Sequence, residues 1–293
     1  MTIHEPDPAP VFLTGLDRTG KTVLRRALVA RSSLWLSRHT ALWSVHHGRY
    51  GDLRSDAALD RCLRALLARP PLARQITDAA ALADALRSGP RTYGRLFGLI
   101  LAAAANREGK RRWGEQDADL EALAGRLFAD YPEATVVHLL RDPRTRYAAL
   151  VRDEGRRPGG VRVASAAWLR SVRRAQHWAA HFPGRYLLVR VEDFGDPPGP
   201  SVVAMVERLG AEFIDGTRLS GVSDETLPSL RPWEVGCIEE HVGEVMVRHG
   251  YRVSGGRLGG ADRARCRLLE APIGGLRLAV RRIRARPAPR GER

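Results

Sequence analysis

Gly15-Leu16-Asp17-Arg18-Thr19-Gly20-Lys21-Thr22 is the stretch that decides the reading of this chain. The apolar run Val11-Phe12-Leu13 precedes it, and Val23-Leu24-Arg25-Arg26-Ala27-Leu28 follows with helical spacing. Strand, glycine loop and helix in that order gather backbone N–H groups and a helix N-terminus around a phosphate. The chain has only two lysines, Lys21 and Lys110. One of them stands where a compact ammonium is wanted beside a phosphate oxygen. The bland alternative is a tight strand-to-helix turn with no ligand.

Around this loop, the bulk properties bound the answer. A chain of 293 residues can bury a sizeable core as one large domain or two small ones. The net charge is +15, but Ala261 to Arg293 holds ten arginines against Asp262, Glu270 and Glu292, a local +7. The rest suits a small polyanionic ligand. No aromatic-basic interleaving of the RNA-binding kind occurs, so nucleic acid is not expected as a partner. No apolar run reaches membrane-spanning length. The acidic, Pro-rich start, Met1 to Pro8, resembles neither a signal nor a transit peptide. Cys62, Cys237 and Cys266 lack metal-ligand spacing and read as reduced buried thiols of a cytoplasmic protein.

Residues 1–10 read as a disordered lead. Val11–Thr14 reads as a buried strand and Gly20–Ala30 as the helix after the loop. Leu34–Val45 reads as a short helix and then a strand. Helices are expected over Ala57–Ala68, Thr77–Arg87, Thr92–Asn106 and Asp119–Ala129, with a break at Pro70-Pro71. The β-branched run Thr135-Val136-Val137-His138-Leu139-Leu140 is a strand, and Arg141-Asp142-Pro143 closes it and starts a helix. Glu154–Gly160 is a loop, Val163–Phe182 a long helix and Tyr186–Val191 a third clear strand. Val202–Leu209 and Val235–His249 are helices. Strands separated by helices imply an α/β fold, a mostly parallel sheet flanked by helices on both faces. Ligands in such sheets bind at the carboxyl ends of the strands, where both the Gly15–Thr22 loop and Arg141 fall.

Lys21 and the loop N–H groups would hold a 5′-phosphate, with Arg18 over the same group. Arg141 would reach a second phosphate, which a guanidinium can bind bidentately. The Arg-Asp-Pro corner can equally be a helix start with Asp142 as N-cap. Arg144 and Arg146, one turn on, read as solvated surface charge.

In these residues and their order the chain resembles the sulfotransferases. Phe12-Leu13-Thr14-Gly15 through Thr22-Val23-Leu24 is similar to their 5′-phosphosulfate loop, and Val137 to Arg144 to their 3′-phosphate motif. Gly48-Arg49-Tyr50-Gly51-Asp52-Leu53, Arg112-Trp113-Gly114-Glu115, Tyr186 to Phe194, and Leu230 to Glu234 with His249-Gly250-Tyr251 resemble the bacterial branch. The resemblance covers roughly residues 11–251 and implies a P-loop-like α/β fold. It implies 3′-phosphoadenosine 5′-phosphosulfate as donor, no required metal, and transfer of a sulfuryl group to a hydroxyl or amine of a small-molecule, glycan or lipid acceptor. Gly15, Arg18, Thr19, Gly20, Lys21, Thr22, Val23 and Arg141 would bind the donor. Lys21 and Arg18 would stabilise the departing phosphate, since preorganised cations and N–H groups supply most of such catalysis. His46, His47 and Glu115 are the candidates for the general base. Trp113, Trp168 and Trp178 read as core first, with acceptor-pocket lining as the alternative.

The chain departs from the family in having Lys21 where many members have Ser or Thr, Ala149 where a Ser is usual, and Gln116 where Lys is common. A catalytically weakened binding protein is therefore an alternative. So is a small-molecule kinase or NTPase, with Glu192-Asp193 on Mg²⁺ and the Arg cluster as a lid. Residues 11–255 are expected to form the α/β domain, and 256–293 a basic tail. In the tail, Ile273–Arg286 could lie as an amphipathic helix on an anionic membrane, although a solvated tail is the plainer reading.

Overall fold

In the computed structural model, which describes residues 5–157, 160–195, 197–209, 228–255 and 258–268, the apolar run Val11–Thr14 is buried at every position and forms β1. It is the middle strand of a five-stranded, all-parallel sheet of order β2-β3-β1-β4-β5. The other strands are β2 (Leu34–Arg38), β3 (Arg112–Gln116), β4 (Thr135–Leu140) and β5 (Tyr186–Arg190). β1 has a neighbour on each side, so its carboxyl end opens into the crevice where the chain changes direction across the sheet.

The helices are α1 (Lys21–Arg31), α2 (Asp56–Leu67), α3 (Pro70–Ala73), α4 (Ala79–Arg87), α5 (Tyr93–Arg107), α6 (Ala124–Asp130), α7 (Pro143–Glu154), α8 (Gly160–His181), α9 (Pro200–Leu209), α10 (Pro232–Arg248) and α11 (Gly260–Leu268). The chain divides into two compact units, Met1–Arg141 with Ser171–Ser223, and Asp142–Arg170 with Asp224–Arg293.

The first unit contains the sheet. One face carries Phe12, Trp113, Val136 and Tyr186, covered by side chains of α2 to α6 and the end of α8. Phe12 lies edge-on to Trp43 at 5.1 Å and to Trp113 at 6.2 Å, the arrangement that ring quadrupoles favour. The other face carries Val11, Leu13, Val137, Leu139 and Val189, covered by Leu24 and Leu28 of α1 and by Val202 and Met205 of α9. Alternation along each strand sends its residues to these two cores in turn. Lys110, the second lysine, donates to Val29 O and Ser32 O at 2.7 Å and closes the carboxyl end of α1.

In the second unit, Asp142 caps α7 by accepting from Arg144 N at 2.8 Å, with Pro143 in the first turn. Glu234, buried in α10, accepts from Arg231 N at 2.7 Å and pairs with Arg156 at 3.2 Å. Trp168 of α8 meets Tyr251 edge-on.

Several expectations are corrected. Over Leu34–Val45 the strand comes first, and a π-helical turn follows at Leu42–His46. Alternate burial of Leu34 and Leu36 is a strand period, which the aromatic content of the segment hides. β3 is missing from the sequence reading because three of its five residues, Arg112, Glu115 and Gln116, are polar and a fourth is a glycine. Gly114 is required there, since a Cβ would stand 1.8 Å from Val11 O. Asp119–Ala129 is two pieces, a 3₁₀ turn at Asp119–Ala122 and then α6. Within the expected lead, residues 5–10 contact the domain. Asp7 O accepts from Trp113 Nε1 at 3.0 Å, and Glu5 pairs with Arg95. α11 occupies the start of the expected tail, and Ile273–Arg286 lies outside the described residues. Cys62, Cys237 and Cys266 are free and buried, and burial pushes the Cys62 thiol up to about 12. No helix among the described residues is long and apolar enough to cross a membrane.

Candidate active site

The loop between β1 and α1 turns on two left-handed glycines, Gly15 at φ 117° and Gly20 at φ 82°. A Cβ on Gly15 would lie 2.4 Å from Leu139 O, so only glycine lets the loop pass this close to β4. Arg18, at the exposed tip, is also left-handed, at φ 69°, a conformation that costs a non-glycine residue about 1 kcal/mol or more. The loop holds it there. Thr19, buried, donates its hydroxyl to Leu16 O at 2.8 Å, and Arg141 donates to Arg18 O at 3.0 Å. Lys21 is 5% exposed, with Nζ 2.5 Å from both Gly15 O and Leu16 O. Thr22 and Val23 are half-buried in the first turn of α1. That turn begins at Gly20 with no side-chain cap and no acidic residue, and Val23 N and Leu24 N are the first to donate within it, both to Gly20 O. A buried ammonium, an uncapped helix start and a buried guanidinium tied to the same loop are what a two-phosphate anion requires.

Glu115 stands near the carboxyl end of β3, in register with Ser37 and Phe12 on the neighbouring strands. It is 1% exposed. Its carboxylate accepts from Thr40 N at 2.8 Å, and Thr40 Oγ1 lies 2.6 and 2.7 Å from its two oxygens. Burial outweighs these bonds and pushes the carboxyl up to about 8 from an ordinary 4.5, with Asp117 adding to the rise.

His46 and His47 are placed differently. His46, buried in the π-helical turn, shares a 2.7 Å hydrogen bond between Nδ1 and Tyr50 Oη, with Arg69 3.3 Å from Nε2. Burial and the charges of Arg69 and Arg49 hold it down to about 4, so it is neutral and weakly basic. His47 Nε2 lies 3.2 Å from Asp130 Oδ2, and its ring leans on Tyr93 and Phe97.

A second buried polar cluster lies on the same sheet face as Glu115. His138 Nδ1 is 2.8 Å from Tyr186 Oη and Nε2 is 3.1 Å from Ser171 Oγ. Ser171 Oγ is 2.5 Å from Glu121 Oε2, and Glu121 pairs with Arg174 at 3.1 Å. A carboxylate only accepts, so Ser171 donates to it and accepts from His138 Nε2–H, while Nδ1 accepts from the Tyr186 hydroxyl. Burial and the Lys21 charge hold His138 down to about 3, which keeps the imidazole neutral. The sequence reading missed this cluster. Its members are far apart in the chain; His138 and Tyr186 sit in separate motifs, and Glu121, Ser171 and Arg174 in none.

Other expected residues have structural partners. Trp113 and Trp168 are fully buried core, not pocket lining, and Trp178 donates to Glu121 O at 3.1 Å. In the second unit, Arg144 pairs with Asp142 and with Glu239, at 2.6 and 2.7 Å. Arg146 is 6% exposed, which corrects its reading as surface charge, and Ala149 is buried on the same helix. Asp193 accepts from Ser201 Oγ at 2.7 Å and pairs with Arg190 at 3.5 Å, so this carboxylate closes the turn between β5 and α9.

Two known structures are similar to this chain, and the first of them shows the same fold. The sulfotransferase domain of an olefin synthase from Synechococcus PCC 7002 is 18% identical, with a TM-score of 0.53 over 85% of this chain and 96% of that one. A sulfotransferase from Mycobacterium avium is 15% identical, with a TM-score of 0.47 over 87% of this chain and 79% of that one. No curated protein matches the chain. A family model described as the sulfotransferase family matches residues 10–215, well over half the sequence, and the chain belongs to that family.

Proposed function

We propose that the protein transfers a sulfuryl group from 3′-phosphoadenosine 5′-phosphosulfate to a hydroxyl or amine of a small-molecule, glycan or lipid acceptor in the cytoplasm. The observation that carries this reading is the 3.0 Å bond from Arg141 to Arg18 O, which ties the end of β4 to a loop that already buries Lys21. Two cationic groups on one crevice suit a ligand with a phosphate at each end better than a nucleoside triphosphate chain. Arg141 would hold the 3′-phosphate. Gly15 to Val23 would hold the 5′-phosphosulfate through N–H groups, with Lys21 and Arg18 neutralising charge on the bridging oxygen. When bound, the donor supplies the sulfuryl group and the phosphate leaving group.

Glu115 is our choice of proton acceptor. A base works best with a pKa near the operating pH, and its carboxyl, at about 8, is far closer to that than an ordinary glutamate. His46, held down to about 4, is a poor acceptor of a hydroxyl proton. The kinase reading loses support because Asp193 already serves the β5–α9 turn.

Thermal unfolding with added nucleotide tests the proposal. 3′,5′-Adenosine bisphosphate should raise Tm in the presence of EDTA, and ATP with Mg²⁺ should not. Stabilisation by ATP-Mg²⁺ alone would remove the sulfotransferase reading.

A further inference from the structure

The segment that holds Glu115 is unusual in its own right. Thr40 is buried, and its amide and hydroxyl both engage that one carboxylate at 2.6 to 2.8 Å. The amide of Ala41 bonds the same group. On either side of Thr40, His39 (φ 55°) and Ala41 (φ 57°) are left-handed without being glycine. Such residues persist only where the surroundings over-determine them, and they gather at functional sites. Ala41 also starts a π-helical turn, a rare element with the same tendency. Strain and hydrogen bonding thus converge on a single contact between the end of β2 and the end of β3.

Other groups bear on Glu115 less directly. Asp117, two residues further along, and Tyr131 after α6 are its titratable neighbours. Its registered partners on the adjacent strands, Ser37 and Phe12, carry no charge. Ser37 Oγ is buried with no hydrogen-bond partner among the described residues, so it does not bond the Glu115 carboxylate beside Thr40.

We propose that Thr40 is a positioning residue for Glu115, holding the carboxyl in one orientation and stabilising its ionised form. The inference rests on Glu115 being the proton acceptor. It adds that the strength of this proton acceptor is set from the β2 end by the Thr40 hydroxyl. Without that hydroxyl the carboxylate loses a charge-assisted hydrogen bond. Its proton then comes off at higher pH, and less of the enzyme is in the base form at neutral pH.

Two readouts on the full chain separate this inference from the reading beneath it. The first is infrared titration of the protonated carboxyl band, assigned to Glu115 by its loss in Glu115→Gln. Thr40→Val should move the midpoint up by about one pH unit, and Thr40→Ser should restore it. Thr40→Ala serves equally if the valine variant does not fold. The second is the pH profile of donor hydrolysis, with 3′-phosphoadenosine 5′-phosphosulfate as the only substrate and water as acceptor. The acid limb of kcat should move with the infrared midpoint, lowering kcat about tenfold at pH 7, with KM for the donor unchanged. An unmoved infrared midpoint in folded Thr40→Val overturns the positioning role. A moved midpoint with an unmoved rate profile, and a Glu115→Gln variant of normal kcat, overturns Glu115 as the base and the catalytic role of Thr40 with it.

Discussion

Glu115→Gln should change how stability depends on pH, in a direction set by the burial of the carboxyl. The carboxyl is fully buried and titrates at about 8 in the folded chain, against 4.5 when unperturbed. Between those values the folded state keeps a proton that the unfolded state has released. Stability therefore falls as pH rises, at up to 1.36 kcal/mol per pH unit. The stabilising effect is complete below about pH 4.5 and gone above about pH 8. From pH 5 to pH 8.5 this one group costs about 4 kcal/mol, a large part of the 5–15 kcal/mol typical of a folded domain. Glutamine cannot titrate, so the variant lacks that slope.

The amide also makes different hydrogen bonds to Thr40, but this offset does not vary with pH. His46 and His138, held down to about 4 and about 3, work in the opposite sense. They add stability as pH rises from their folded values towards 6.5. Both are present in wild type and variant, so they cancel in the difference. The assay is guanidinium denaturation followed by far-UV circular dichroism at half-unit pH steps from 5 to 8.5. The difference in unfolding free energy, variant minus wild type, should grow by about 4 kcal/mol in favour of the variant. A difference that stays within 1 kcal/mol across that range would refute the burial argument for Glu115.

The remaining predictions concern the loop and the His138 cluster. Arg141→Ala should weaken 3′,5′-adenosine bisphosphate on the order of 100-fold by calorimetry, the loss of charged hydrogen bonds to a phosphate. Adenosine 5′-phosphosulfate, which has no 3′-phosphate, should lose much less. Equal losses would leave Arg141 as a loop anchor only. Gly15→Ala meets Leu139 O at 2.4 Å, and Gly109→Ala, also at positive φ, meets nothing within 4 Å. The first should cost at least about 3 kcal/mol and the second about 1 kcal/mol. Equal costs would mean that the loop can move away from β4. His138→Leu strips Tyr186 and Ser171 of a shared partner and should lower the unfolding free energy by about 2–4 kcal/mol. A change under 0.5 kcal/mol would show that the cluster has no structural weight.

Much of the architecture is legible in short-range pattern. β1, β4 and β5 are runs of apolar and β-branched residues, and α2, α4 and α5 carry clear apolar stripes. The glycine loop announces itself through Gly15, Gly20 and Lys21. β3 is illegible for a physical reason: Gly114 is there because Val11 O comes too close for a Cβ, and Glu115 and Gln116 are buried against the usual rule for polar residues. The π-helical turn at Leu42–His46 has no periodic signature of its own. The apolar content of Leu34–Val45 is visible in sequence, but not the order of its two elements.

The sequence by itself determined that this chain forms a parallel α/β sheet with a glycine loop between its first strand and first helix, and it carried enough motif to resemble the sulfotransferases. Those features depend on residues close together in the chain, where spacing and backbone freedom decide the outcome. Only the tertiary structure decided the electrostatics. Glu115, His46 and His47 looked alike as candidates for a base. Full burial and a like charge raise Glu115, while burial and two arginines depress His46. Thr40 reaches Glu115 across 75 residues of sequence, and Ser171 reaches Glu121 across 50. A proton's affinity for a side chain depends on which groups exclude water from it and which donors face it, and folding alone brings those groups together.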